Sequence, residues 1–229
     1  MKTVVILSGG MDSTTLLYEE MDQGNEVAAL SVNYGQRHVR ELECAEYISG
    51  LLLVPWELVD LTSITHLLRG SSQTDKSVPV PKGHYAEESM KATIIPNRNM
   101  MMLSVAVAWA LAQGADKVAY AAHAGDHAIY PDCRPDFVAA LNKAIALADW
   151  RHVTLEAPFI NWTKQEILKR GVALGVPYEE TWTCYEGNAI ACGQCGTCVE
   201  RLEAFAMTGI DDPLHYADRD FWREAIARR

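Results

Sequence analysis

Near the start of the chain, Ser8-Gly9-Gly10-Met11-Asp12-Ser13-Thr14 combines two glycines with three hydroxyls and a carboxylate. This is the chemistry of an anion cradle. The glycines let the backbone turn tightly and bring amides to phosphate oxygens, and Ser8, Ser13 and Thr14 add hydroxyl donors near the positive end of a helix. Taken alone, a Ser-Gly-Gly turn with Asp12 as a plain N-cap would read the same way. The segment lacks the G-x-x-x-x-G-K-[ST] pattern of the common P-loop and the G-x-G-x-x-G of dinucleotide binders, which disfavours γ-phosphate transfer and hydride transfer.

A second pattern is metal-binding. Cys184 is followed, after seven intervening residues, by Cys192-Gly-Gln-Cys195-Gly-Thr-Cys198. Thiols at every third position, with glycines between them, converge on one ion. Zinc suits four soft ligands in a closed tetrahedral shell and would then be structural, and an iron–sulfur cluster uses similar spacings. Cys44 and Cys133 stand apart and read as ordinary buried or loop cysteines.

The elements that must position these groups follow from hydrophobic period. Residues 3–7 form an apolar, β-branched run, and residues 12–23 place Leu16, Leu17 and Met21 on one helical face. Strands are expected at 26–32, 56–61 and 117–121, and helices at 39–51, 99–113, 135–148 and 199–207. Thr163 with Glu166 three residues on marks a capping box that opens another helix. Strands alternating with helices imply an α/β fold, a parallel sheet with helices on both faces. Residues 69–96 carry Gly, Ser and Pro without a countable period and read as a long functional or mobile loop. The expected organisation is a nucleotide-binding α/β domain over residues 1–175 and a four-cysteine zinc-binding region over 176–229.

With 229 residues, 49% of them hydrophobic, the chain can bury a core without disulfides. The apolar stretches are short and the first residues lack a signal-peptide pattern, so a cytoplasmic protein with no membrane association is expected. The formal net charge of −10 weighs against a nucleic-acid partner.

The SGG-x-DS-[ST] loop resembles the PP-loop of the N-type ATP pyrophosphatases, which have an adenine nucleotide alpha hydrolase-like fold and attack ATP at its α-phosphate. Three more segments lie where sheet-edge loops belong: Asn33-Tyr34-Gly35-Gln36-Arg37-His38, Pro96-Asn97-Arg98-Asn99, and Tyr130-Pro131-Asp132-Cys133-Arg134-Pro135. With the PP-loop and the cysteine cluster, in this order, they closely resemble the 7-cyano-7-deazaguanine synthase family across essentially the whole chain. The resemblance implies that 7-carboxy-7-deazaguanine, ammonia and two ATP give the nitrile through two adenylations, in queuosine or deazapurine biosynthesis.

By that resemblance, Leu7, Ser8, Gly9, Gly10, Met11, Asp12, Ser13, Thr14 and Arg98 bind ATP with magnesium, and Asp12 and Lys164 are catalytic. Lys164 stands at a first helical position, where its charge opposes the helix dipole unless an anion is near. Arg37, Asp126, Tyr130, Asp132 and Arg134 are the candidate substrate residues. A homodimer is implied, for which Leu214, Phe221 and Trp222 could supply an interface or else cover the core. Residues 84–95 match no motif. His123 and His127 raise the question of a second metal but read as an ordinary polar loop. Rival readings are a PP-loop enzyme that modifies tRNA, a relative that attaches a deazaguanine to a protein, and a zinc-ribbon binding module without catalysis.

Overall fold

The computed structural model describes residues 1–227. Within them β1 (Lys2–Ile6), β2 (Glu26–Asn33), β3 (Trp56–Asp60), β4 (Lys117–Ala119) and β5 (Thr154–Glu156) form one sheet in the order β3-β2-β1-β4-β5. All four pairings are parallel. The chain runs outward from β1 through β2 to β3, then returns to place β4 on the other side of β1. The strand order therefore reverses between β1 and β4, and open α/β sheets bind ligands at the carboxyl edge of such a switch.

Side chains alternate across β1. Val4 and Ile6 join Leu103 and Val107 of α3 (Arg98–Gln113) and Leu141 and Ile145 of α4 (Pro135–Ala148). Val5 and Leu7 join Leu16 and Leu17 of α1 (Met11–Asp22), Ala45 and Ile48 of α2 (Arg40–Leu51) and Ile167 of α5 (Lys164–Leu174). Burial on both faces explains why the strands read as unbroken apolar runs. The capping box is present: the Thr163 hydroxyl accepts from the Glu166 amide, and the Glu166 carboxylate from the Thr163 amide.

Two departures from the sequence reading are informative. β5 went unseen because three residues cannot display a period of two, and its place is set by pairing with β4. The stretch 69–96 carries a 3₁₀ turn at Glu88–Thr93, and Ser71, Ser72 and Gln73 are buried. Its order comes from long-range hydrogen bonds, including Ser72 N–H to Ala92 O at 2.8 Å and Arg37 N–H to Gln73 O at 2.7 Å. No local period records such bonds.

The last quarter of the chain packs on the α1/α5 side. Met11, Leu168, Val176, Tyr178, Ala204 and Phe205 form one apolar cluster that joins α1 and α5 to α6 (Gly196–Thr208). Beneath it Arg201, fully buried, makes a two-pronged ion pair with Asp212, both contacts 2.9 Å, and donates to Thr181 Oγ1 and Tyr178 O. A final helix, α7, spans Phe221–Ala227. No described helix is long and apolar enough to cross a membrane.

Candidate active site and metal centre

The loop between β1 and α1 is built to close approach. Gly9 has φ +82°, and a Cβ there would collide with the backbone carbonyl of Glu41, so glycine is required by conformation and by space. The loop is clamped from the other side, where Trp182 N–H donates to Gly9 O at 2.9 Å. Ser8 and Ser13 hydroxyls lie 2.9 Å apart, and Ser13 Oγ also accepts from the Ser8 amide at 3.1 Å. Thr14 is fully buried, its hydroxyl without a partner.

A cleft lined by Ser8, Gly10, Met11 and Asp12 opens from this loop. Gly10, Met11 and Asp12 begin α1, Arg98 begins α3, Lys164 begins α5, and Thr197 and Glu200 lie near the start of α6; all line the cleft. Several helix N-termini thus meet at the carboxyl edge of the sheet, a field that favours phosphate.

At its centre Lys164 Nζ lies 2.6 Å from Asp12 Oδ2 and 3.1 Å from Glu200 Oε2. Burial pulls the Lys164 ammonium down, but Asp12 and Glu200 more than offset this and hold it above the usual lysine value. Burial likewise pushes the Asp12 carboxyl up, and Lys164 and His123 outweigh it, leaving the group below the ordinary carboxylate value. Glu200 is raised by burial in spite of Lys164. A buried ion pair is weak evidence of stabilisation, because desolvation consumes most of the Coulombic gain. These charges are better explained by what they face.

His123 sits beside them, its Nε2 3.9 Å from Asp12 Oδ2 and 3.6 Å from Asp126 Oδ1. Its Nδ1 accepts from the Gly125 amide, so the ring proton is on Nε2, directed at the two carboxylates. Asp126 is held in turn by Tyr85 Oη at 2.9 Å and the His123 amide at 3.1 Å. The ordinary polar loop expected around His123 is corrected here: its ring is 2% exposed and part of the site. Local sequence could not show this, because Asp12, one of the carboxylates beside the ring, comes from the start of α1.

Of the other expected residues, Leu7, Ser8, Arg98 and Asp126 line the cleft. Ser13 and Tyr130 line an adjoining cavity that shares Arg98, Tyr85 and Tyr185 with it. Arg37, Asp132 and Arg134 line neither. Arg37 donates to the carbonyls of Asp75 and Val78, each at 3.1 Å, and so ties down the long β3–α3 connection. Arg134 is exposed and donates to His127 O, while the Asp132 carbonyl accepts from Tyr120 Oη. Sequence reasoning missed Glu200, His38, Glu41, Gln73 and Tyr85. The only signals were the Asn-Tyr-Gly-Gln-Arg-His segment, placed at the sheet edge by the family resemblance, and the two-residue offset of Glu200 from Cys198.

The second centre is the cysteine cluster. The Sγ atoms of Cys184, Cys192, Cys195 and Cys198 all lie within 4.8 Å of one another. Four thiolates about 2.3 Å from a central zinc would stand roughly 3.8 Å apart, so the spacing fits a tetrahedral ion. The amides of Gln194 and Cys195 donate to Cys192 Sγ at 3.3 and 3.2 Å, and that of Cys192 donates to Cys184 Sγ at 3.3 Å, second-sphere bonds suited to thiolate ligands. Among the described residues no other group of three or more His, Cys, Asp or Glu has metal-ligating spacing.

The chain resembles known proteins on two levels. At the level of fold, it superposes on a 4-thiouridine synthetase solved with RNA and bound ATP, with TM-score 0.53 and 15% identity over 99% of this chain and 50% of that one. The U34-tRNA thiolase NcsA of Methanococcus maripaludis, solved with its [4Fe-4S] cluster, gives TM-score 0.52 at 15% identity over 91% and 65%. At the level of sequence, a 7-cyano-7-deazaguanine synthase of Hahella chejuensis is 54% identical over 94% of this chain and 93% of its own length. Namesakes from Methanoregula boonei and Caldicellulosiruptor bescii are 53% and 50% identical over 94% and 97% of this chain and 99% and 100% of theirs. The model of the queuosine biosynthesis protein QueC matches residues 2–209, so the chain belongs to the QueC family.

Proposed function

We propose that this protein converts 7-carboxy-7-deazaguanine and ammonia to 7-cyano-7-deazaguanine, a step of queuosine biosynthesis, using two ATP. The observation that carries the reading is the Asp12–Lys164 pair, buried at the meeting of helix N-termini beside a glycine-rich loop without a P-loop lysine. A carboxylate oxygen attacks the α-phosphorus and pyrophosphate leaves, giving an acyl adenylate. Ammonia displaces AMP to form the primary amide and releases a proton. The amide oxygen then attacks a second ATP. Loss of the second AMP carries that oxygen away, and the nitrogen gives up both its protons over the step, one balanced by the charge on the departing AMP.

Lys164 would stabilise the charge that builds on α-phosphate oxygens, Asp12 would orient it, and the amides and hydroxyls of the loop would hold the departing pyrophosphate. Asp12 Oδ1 is buried without a hydrogen-bond partner, which fits a hard divalent cation such as magnesium. When bound, that ion would neutralise phosphate charge. Zinc in the four-cysteine site would be structural, since a closed thiolate shell leaves no position for water. The same reading makes the chain a cytoplasmic homodimer, with a nucleotide-binding domain over residues 1–175 and the cysteine region packed on it.

Incubation with ATP, magnesium, ammonium and 7-carboxy-7-deazaguanine tests the proposal. Two AMP and two pyrophosphate per nitrile are expected, read by mass spectrometry. Release of ADP would refute attack at the α-phosphate, and no nitrile would sink the reaction. Transfer of label to tRNA or to a protein would favour the other PP-loop chemistries.

A further inference from the structure

Two residues that line the cleft each carry a buried acceptor with no donor of its own. The first is Gln73, 2% exposed. Its Nε2 donates to Thr93 O at 3.0 Å. A carbonyl can only accept, so this bond decides the orientation of the amide. Oε1 is left on the other side, buried and unpartnered, in a residue that lines the cleft. The position is firmly held: the Gln73 amide donates to Ser71 Oγ, and its carbonyl accepts from the Arg37 amide.

The second is His38, also 2% exposed. Its Nε2 lies 3.4 Å from Glu41 Oε2, and its ring centroid is 5.2 Å from that of Tyr185. When the Glu41 carboxylate accepts from Nε2–H, Nδ1 carries a lone pair, and Nδ1 too is buried without a partner. Buried acceptors are ordinarily paired, so two of them beside one ligand space ask for a ligand that donates twice.

The two organic substrates differ in this respect. The adenine edge sets an amino donor beside a ring nitrogen that accepts, and two protein acceptors would meet that lone pair. A 7-deazaguanine carries N1–H and an exocyclic amine side by side, with carbonyl O6 next to them. Arg98 lines the same space and can donate to such a carbonyl, and Tyr85 and Tyr185 add aromatic walls. These walls come from the β3–α3 connection and the cysteine region, whereas the phosphate loop belongs to the sheet edge.

We infer that Gln73 and His38 read the amidine edge of the deazaguanine, and that Gln73 Oε1 sets the requirement for its exocyclic amine. The inference rests on the proposed reaction, and its test separates the two. Wild-type protein and Gln73→Leu are compared with 7-carboxy-7-deazaguanine and with its analogue lacking the 2-amino group, by equilibrium binding and by AMP release. Wild type should prefer the natural base by about 10- to 100-fold. Gln73→Leu should lose most of that preference through KM for the base, with KM for ATP within about twofold of wild type.

A rise in KM for ATP alone would assign Gln73 to adenine and overturn the inference. So would equal affinity of wild type for the two bases, a measurement that needs no variant and stands even if Gln73→Leu fails to fold. Selective binding of the 2-amino base without nitrile formation would instead remove the reaction and leave the recognition in place.

Discussion

The Asp12–Lys164–Glu200 cluster places one cation between two carboxylates in a largely buried space. Removing the ammonium strands both carboxylates where, in the proposed reaction, the triphosphate binds. Lys164→Ala should therefore lower kcat/KM at least ~100-fold, the order seen when one preorganised charge-stabilising donor is lost. AMP release measures this, and a loss under tenfold would end the assignment. Glu41 carries a separate prediction. Burial raises its carboxyl from 4.5 to about 7, against the opposing pull of Gln36 and Arg98. Between those values the folded state binds more protons than the unfolded one, so this group makes stability fall as pH rises from 4.5 to 7. Glu41→Gln should flatten that part of the profile, gaining up to roughly 3 kcal/mol at pH 8 relative to wild type. Urea unfolding at several pH values decides it, and parallel profiles would contradict the buried-carboxylate account.

At the scale of elements, the site depends on how strands hand over to helices. Gly9 is held between the Glu41 carbonyl and the Trp182 amide. Gly9→Ala imposes both a positive φ and a backbone collision, and should cost about 2–4 kcal/mol in denaturant unfolding, together with most nucleotide binding. A milder change tests the start of α5. Thr163→Ala removes one half of the capping box and should cost about 1 kcal/mol, with only a modest fall in rate, because Lys164 remains held by Asp12 and Glu200. A full loss of turnover would mean that the cap itself positions the ammonium. The Gly-Gly turn and the Thr163-to-Glu166 spacing were both legible in the sequence, since a turn conformation and a helix start are local matters. β5 and the ordered 71–73 segment were not, because their partners lie elsewhere in the chain.

For the whole molecule, the cysteine centre and the cleft are mechanically one. Trp182, Thr183 and Tyr185 flank Cys184, while Thr197 and Glu200 flank Cys198, and all five line the cleft. If the four thiols hold the proposed zinc, its chelation, or Cys195→Ser, should release this wall and abolish ATP binding along with metal content, as read by elemental analysis and nucleotide titration. A metal-free variant that still binds ATP normally would separate the two centres.

The features set by their own backbone or close neighbours were readable one after another: the tight Gly9-Gly10 turn, the alternation of strands and helices, and the thiol spacing. Glycine conformations, hydrophobic periods and ligand spacings are short-range properties, and a linear sequence records them. The placement of His123, Glu200, His38 and Gln73 around one cleft was decided by tertiary structure alone. Each comes from a different segment, and each is polar in a way that a surface loop would also be. Only the reversal of strand order between β1 and β4, and the folding of the cysteine region back onto Gly9, bring them to one cleft. Burial then turns ordinary side chains into a site.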